Sequence, residues 1–298
     1  MIDPRVLRTY LAICREGSIS AAARQLNISQ PSVSVAIAQL EQKLGGALFE
    51  RGRQGIVLTP AGRALMRRAE MMEVLLVDAE EAVALARRGA RGPLRIGGTP
   101  GALVSLVPAA VARMEQSDHM ALHVIERPDG ELTELLRRGE IEVAIVTTGI
   151  EQPPVDIAER SIARDPFALI VGRAHDALAA GISLRDMAEM RWVLPHAAGA
   201  FHRQIDALFL AAQTALPVDV IRCDSLLTSK AIVQRGTRVT VLPRGVVAAE
   251  LSMGVLRAIP IGGAEITRSI GIRTLSNRKL SELGAQFVDA VITSHQHP

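Results

Sequence analysis

Aromatic residues are almost missing from this chain: one Trp, one Tyr and five Phe among 298 residues, or 2%. Aliphatic side chains must fill the cores instead, and a hydrophobic content of 48% suffices for more than one packed domain. Cysteine is as scarce, with only Cys14 and Cys223, far apart and each in an apolar pattern. They read as reduced core thiols, which argues against a disulfide framework and a cysteine metal site. No apolar run approaches the roughly eighteen residues that a bilayer span needs. Asp3, Arg5 and Arg8 break the stretch where a signal-peptide core would lie. A cytoplasmic multidomain protein without a membrane partner is expected. Enzyme signatures are missing too. His175 and the pair His196 and His202 belong to no metal-ligand set and sit beside no nucleophile at a recognised spacing. Gly97-Gly98-Thr99-Pro100-Gly101 lacks both the dinucleotide glycine spacing and the Walker lysine. No catalysis, metal or cofactor is expected. Net charge is only +3, and the first 59 residues hold seven Lys/Arg against four Asp/Glu. That surplus suits DNA, and an ordinary solvated surface equally.

What the chain does have is concentrated between Ser18 and Thr59. Ser20 is a possible cap for a helix whose Ala21, Ala22 and Ala23 permit close packing. Asn27 to Ser29 breaks that helix, Ser29 can cap the next, and Pro31 sits in its first turn. Val33, Ile37, Leu40 and Leu44 follow at spacings of four, three and four, which puts them on one buried face. Gln30, Pro31, Ser34 and Val35 begin the other face. Leu7, Leu11 and Cys14 give a preceding helix an apolar stripe, and Phe49 and Leu58 can close a small three-helix core. Arg51, Arg53 and Gly55 lie between those two residues in a short basic turn suited to phosphates. The pattern is that of a winged helix-turn-helix, which puts one helix into the DNA major groove.

Ala21-Ala22-Ala23-Arg24-Gln25-Leu26, Ser29-Gln30-Pro31-Ser32-Val33-Ser34, Leu40-Glu41, Leu44-Gly45, Leu48-Phe49-Glu50-Arg51 and Leu58-Thr59-Pro60-Ala61-Gly62 follow in that order. Over residues 1–62 this resembles the LysR-type transcriptional regulators, and the remaining length fits that family's effector domain more loosely. The resemblance implies DNA contacts at Arg24, Ser29, Gln30, Pro31, Ser32, Ser34, Val35, Arg51 and Arg53. Many family members carry a basic residue where Val35 stands, whereas Lys43 is the only cation from Gln30 to Leu44. Base readout would then lean on Gln30, Ser32 and Ser34, with Pro31 or Val35 against thymine methyls. Arg24, Arg51 and Arg53 would hold phosphates.

Beyond Thr59 and Pro60 no Gly or Pro interrupts the chain from Arg63 to Arg88. Leu65, Ala69, Met72, Leu76, Ala79, Val83 and Ala86 alternate by four and three, a coiled-coil seam. Such a helix would run about 40 Å. It either dimerises with a second copy or packs on its own effector domain. The first option would hold two recognition helices at a set separation over a site of approximate two-fold symmetry.

The expected organisation is a DNA-binding domain over 1–59, a linker helix over 60–88, a hinge over 89–93 and an effector domain over 94–298. Strands near Leu94–Gly97, Leu122–Glu126 and Val143–Val146 alternate with helices near Leu103–Met114 and Leu132–Arg138. A second run has strands near Phe167–Val171, Trp192–Leu194, Asp219–Arg222 and Val239–Leu242. Its helices fall near Leu184–Glu189, Phe201–Ala212 and Leu226–Gln234. This predicts an α/β effector domain of two lobes, about 94–160 with 268–298, and about 161–267. The family's periplasmic-binding-protein-like fold implies that a last helix, here Ser276–Thr293, returns to the first lobe. Ligands of open α/β sheets sit beyond the strand carboxyl ends. Thr99, Pro100, Thr147, Thr148, His196, Phe201 and Ser225 lie at such ends and suit a small polar, anionic inducer. The hydroxyls among them could equally be helix caps.

The resemblance therefore implies a ligand-responsive transcription factor acting as a dimer of dimers, with RNA polymerase as a candidate partner. The alternative is a solute-binding protein without DNA function, which would leave the first 60 residues unexplained.

Overall fold

The computed structural model describes residues 2–52, 55–115, 119–178, 181–187, 189–196, 200–262 and 267–295. The chain divides into two compact units, Met1–Gly89 with Arg137–Glu140, and Ala90–Leu136 with Ile141–Pro298.

In the first unit, α1 (Pro4–Glu16) starts where the Asp3 carboxylate accepts from the Arg5 amide at 2.8 Å, and ends at Gly17 in the left-handed region. α2 (Ile19–Gln25) is capped by Ser18, whose hydroxyl accepts from the Ala21 amide at 3.1 Å. The expected cap, Ser20, lies inside the helix: Ile19 already has helical geometry, so the cap falls two residues earlier. Ala22 and Ala23 are buried, and Asn27 turns the chain at a positive φ of 55°. α3 (Gln30–Leu44) is capped by Ser29 and closed by Gly45. Val33, Ile37 and Leu40 are buried as expected, but Leu44 is 44% exposed. The helix stops there, and the left-handed Gly45 leads the chain away before another turn can cover it.

The antiparallel strands β1 (Phe49–Gly52) and β2 (Gly55–Leu58) form the wing. Glu41 fastens it to α3 by accepting from the Leu48 and Phe49 amides at 2.7 and 3.3 Å. α4 (Pro60–Ala86) begins at Thr59, which caps the Gly62 amide and donates to the Ala47 carbonyl at 2.8 Å. Gly62 must be glycine, because a Cβ would collide with the Leu48 carbonyl oxygen. Its own carbonyl accepts from the buried Tyr10 hydroxyl at 2.7 Å. Leu7, Tyr10, Leu11, Val33, Ile37, Leu48 and Ala69 share one core. Each fully buried aliphatic side chain contributes about 1.5–3 kcal/mol. Cys14 packs at the margin of this core as a free thiol that burial pushes up. Of the heptad seam, Leu65, Ala69 and Met72 are covered by this unit, while Val83 is exposed, as are Leu75 and Val77 beside it.

The second unit holds β3 (Arg91–Gly98), α5 (Pro100–Met114), β4 (Met120–Glu126), α6 (Asp129–Arg138), β5 (Val143–Thr148) and β6 (Ile157–Val171). After them come β7 (Arg191–Leu194), α7 (Ala200–Ala211), β8 (Val220–Arg222), α8 (Leu226–Arg235) and β9 (Arg238–Pro243). The last elements are α9 (Ala248–Ser252), β10 (Arg257–Pro260), β11 (Thr267–Leu275) and α10 (Glu282–Ser294). The strand order is β4-β3-β5-β11-β6-β9-β7-β8, with β10 also on β6. β3 runs parallel to β4 and β5, and β7 parallel to β8 and β9. β5 carries the unbroken apolar run Val143–Val146, buried throughout, as a strand covered on both faces must.

One strand, β6, belongs to both lobes. Residues 157–166 of β6 pair with β11, and residues 167–170 pair with β9. The expected strand Phe167–Val171 is therefore only the second half of β6, and the hydrophobicity of that half is what its more polar first half lacks. β11 has no counterpart in the expected elements. Arg91 to Pro93, expected as hinge, are already part of β3. Leu184 to Met187 form turns instead of a helix; both end residues are buried, and the spacing of three that suggested a helix comes from that turn. α10 starts at Glu282, not Ser276, because the Ser281 hydroxyl caps it on the Gly284 amide while Glu142 accepts from Ser281. Leu283, Phe287 and Val291 return it to the first lobe, beside Leu103, Leu106 and Ala110 of α5.

Candidate nucleic-acid interface and effector-binding edges

The first half of α3 divides by face. Val33 points into the core, while Ser29, Gln30, Pro31, Ser32, Ser34 and Val35 are all exposed, Val35 by 56%. Ser29 is occupied by capping: its hydroxyl accepts from the Ser32 amide at 3.2 Å and lies 2.8 Å from the Ser32 hydroxyl. The helix N-terminus carries a partial positive charge. Gln30 offers a terminal amide there, Ser34 a hydroxyl and Val35 an apolar surface, a set able to meet base edges. Arg24 is exposed in the last turn of α2. Arg51 lies on β1, paired in register with Ile56, and its side chain is outside the described structure, as is the whole of Arg53. A contact that sequence reasoning missed ties α2 to α3: the Ser20 hydroxyl donates to Gln30 Oε1 at 3.2 Å.

In the second unit the parallel strands bring their carboxyl ends to common edges. Thr99 follows β3 at the start of α5, and its side chain makes no capping bond. Thr147 is partly exposed, but Thr148 is buried with its hydroxyl 2.7 Å from that of Ser161. Pro100 opens α5, partly exposed. On the other lobe, the exposed His196 donates its backbone amide to Asp224 at 2.7 Å, and residues 197–199 are outside the described structure. Phe201 stacks on Phe167, centroids 6.4 Å apart. Ser225 caps α8, accepting from the Thr228 amide and hydroxyl at 3.2 and 2.9 Å. Arg203 of α7 pairs with Glu151, beyond β5, at 3.2 Å, so the two edges face each other.

Buried charges lie behind these edges. Asp165 of β6 and Arg268 of β11 pair at 2.9 Å with side chains only 6% and 4% exposed. Asp165 also accepts from the Gly245 amide at 2.8 Å, and Arg268 donates to the Gly101 carbonyl at 3.1 Å. Burial lowers the Arg268 pKa, partly offset by Asp165. The pair thus ties the start of α5 to the turn after β9. Nearby, Arg273 pairs with Glu159 at 2.7 Å and Asp129 at 3.1 Å, and Glu159 accepts from the Gly149 amide at 3.0 Å. One guanidinium thereby fixes the loops that follow β4 and β5. A carboxylate directly before the apolar run Phe167–Val171 was the available signal for Asp165.

A small winged helix-turn-helix followed by a two-lobed α/β unit, with an outward polar helix face on the first and facing strand ends on the second, defines a ligand-responsive DNA-binding regulator. The sequence model of the bacterial regulatory helix-turn-helix proteins of the lysR family matches residues 4–63, and that of the LysR substrate binding domain matches residues 87–296. The chain belongs to the LysR family and is a LysR-type DNA-binding transcriptional regulator with an effector-binding domain. It is 27% identical over 292 residues to the uncharacterised HTH-type transcriptional regulator YdcI of Escherichia coli, covering 96% of this chain and 94% of that one. It is 24% identical over 280 residues to the HTH-type transcriptional regulator PcaQ of Agrobacterium fabrum, covering 91% and 89%. Full-length CbnR, solved with its target DNA, shares the fold with a TM-score of 0.65 at 22% identity, covering 98% and 99%. Among the described residues no helix is long and apolar enough to cross a membrane, and no His, Cys, Asp and Glu cluster could hold a metal.

Proposed function

We propose that this regulator works in the cytoplasm as a dimer of dimers on DNA of approximate two-fold symmetry, and that it has no catalytic activity. Gln30, Ser32, Ser34, Pro31 and Val35 read base edges, while Arg24, Arg51, Arg53 and the Ser29 end of α3 hold phosphates. α4 pairs with a second copy through its seam, which would cover the exposed Val83. A small anionic inducer occupies the space between the facing edges, near Thr99, Pro100, Thr147, His196 and Phe201. Thr148 and Ser225 shape it from behind, since their hydroxyls are engaged elsewhere. Inducer binding changes the packing of the effector units and so the spacing or bend of the DNA-bound pairs, with RNA polymerase as a downstream contact. The DNA-binding domain spans 1–59 and the linker helix 60–88, and the effector domain begins with β3 at Arg91.

The observation that carries the reading is the division of α3, anchored by Val33, Ile37 and Leu40 and exposed over Ser29 to Val35. The test is selection of fragments from the source genome, followed by binding across salt concentration. Tight binding to an interrupted two-fold site, weakening steeply with salt, is expected. Failure to enrich any fragment, with or without metabolite extract, would leave a solute-binding protein as the better account.

A further inference from the structure

α2 and α3 meet through a side-chain bond that neither helix needs. Ser20 donates from the first turn of α2 to Gln30 Oε1 at the first residue of α3, 3.2 Å away. Both residues are exposed. Ser18 and Ser29 do the capping, so Ser20 and Gln30 are free of that task. Water could satisfy both groups equally well, and the bond therefore adds little to folding. It does decide how the Gln30 amide is turned. A glutamine ends in one acceptor oxygen and one amino group with two donors. With Oε1 turned back to Ser20, the amino group faces away from α2.

We propose that Ser20 is a positioning residue that makes Gln30 a pure hydrogen-bond donor towards the major groove, so that the base it reads is guanine in preference to adenine. The inference rests on the reading of α3 as the base-reading helix. An unconstrained glutamine suits adenine, accepting from N6 and donating to N7. With its oxygen turned back to Ser20, Gln30 presents its amino group to the groove and so donates there. Guanine presents two acceptors, O6 and N7, on one edge, whereas adenine would set its N6 donor against the donor of Gln30. Serine has a single side-chain carbon, so holding it in place costs little conformational freedom.

The test compares full-length wild type, Ser20→Ala, Ser20→Thr, Gln30→Ala and the Ser20→Ala/Gln30→Ala double variant. Each is titrated against the best selected DNA site and its single-base variants, with the salt slope recorded. In wild type, one position per half-site should prefer guanine over adenine, and Gln30→Ala should abolish that preference. Ser20→Ala should reduce it by about three- to tenfold, the effect of one ordinary hydrogen bond. The salt slope should stay unchanged. Ser20→Thr, which keeps the hydroxyl, should restore it, and Ser20→Ala should change nothing once Gln30 is alanine. A Ser20 that only packs helices or holds a phosphate would weaken all sites alike, in both backgrounds, and would overturn the inference. Adenine preferred at that position by wild type would do the same. Preference lost in Gln30→Ala but intact in Ser20→Ala sinks the inference alone and leaves the base-reading helix standing. Preference intact in Gln30→Ala removes Gln30 from base readout altogether.

Discussion

The two units hold themselves together on different length scales. In the N-terminal unit most side-chain bonds are local, such as Ser18 to Ala21 and Ser29 to Ser32, three residues apart. In the effector unit the bonds that shape the site join distant segments: Asp165 to Arg268 spans 103 positions and Asp129 to Arg273 spans 144. The first unit also keeps the polar residues at the start of α3 exposed, while the second buries the Asp165–Arg268 pair behind its strand ends. A DNA reader can be built by capping and amphipathic periodicity; a ligand-responsive unit needs fixed charges where loops from two lobes converge.

Removing one partner of the buried pair should have the largest effect. Arg268→Ala leaves the Asp165 carboxylate buried without its counter-charge, for a loss of about 3–5 kcal/mol. A double replacement by apolar residues of similar volume should lose much less. Denaturant unfolding of the two proteins checks both, and a loss under about 1 kcal/mol for Arg268→Ala would erase the contrast between the units. Next, Gly62→Ala drives a methyl group into the Leu48 carbonyl and should destabilise the N-terminal unit by about 1–3 kcal/mol, read as a lower melting temperature. Ser18→Ala should cost about 1 kcal/mol as a lost cap, whereas Ser20→Ala should stay within about 0.5 kcal/mol. The reverse order would return the cap to Ser20.

The smallest effects distinguish the units by pH. Tyr10, buried and hydrogen-bonded to Gly62, has its pKa raised mainly by burial. Its contribution is complete below the ordinary tyrosine value near 10 and is lost as pH rises beyond it. Tyr10→Phe should flatten the alkaline limb of the stability profile. Asp219 in the effector unit is held below the usual carboxylate range by Arg191 and Arg238. Its contribution is present above the ordinary value near 4 and fades as pH falls through the lower, folded value. Asp219→Asn should flatten the acid limb, more visibly at low salt because the group is exposed.

The same difference in scale explains what could be read from the sequence. Capping residues, Pro31, the Val33–Ile37–Leu40 stripe and the uninterrupted α4 are encoded within a few turns of chain, so the N-terminal unit was legible almost residue by residue. Ser18 was displaced by Ser20 because two serines in one turn compete equally as caps on paper. The parallel β3, β4 and β5 were legible through their alternation with helices. β11 and the first half of β6 were not, because residues such as Arg160, Arg164 and Arg273 interrupt the apolar pattern, and Arg273 finds its partners Asp129 and Glu159 far along the chain. The edges carrying Thr99, Thr147 and Ser225 followed from topology. Which hydroxyls are engaged, as those of Thr148 and Ser225 are, depends on neighbours that spacing does not reveal.

The course of β6 has a mechanical consequence. It runs as one strand from its pairing with β11 into its pairing with β9, and so joins the lobes through a hydrogen-bonded ladder. An opening or closing of the lobes would bend or twist that ladder near the end where Asp165 pairs with Arg268. A molecule that moved one lobe against the other would act on this protein as torsion of that strand.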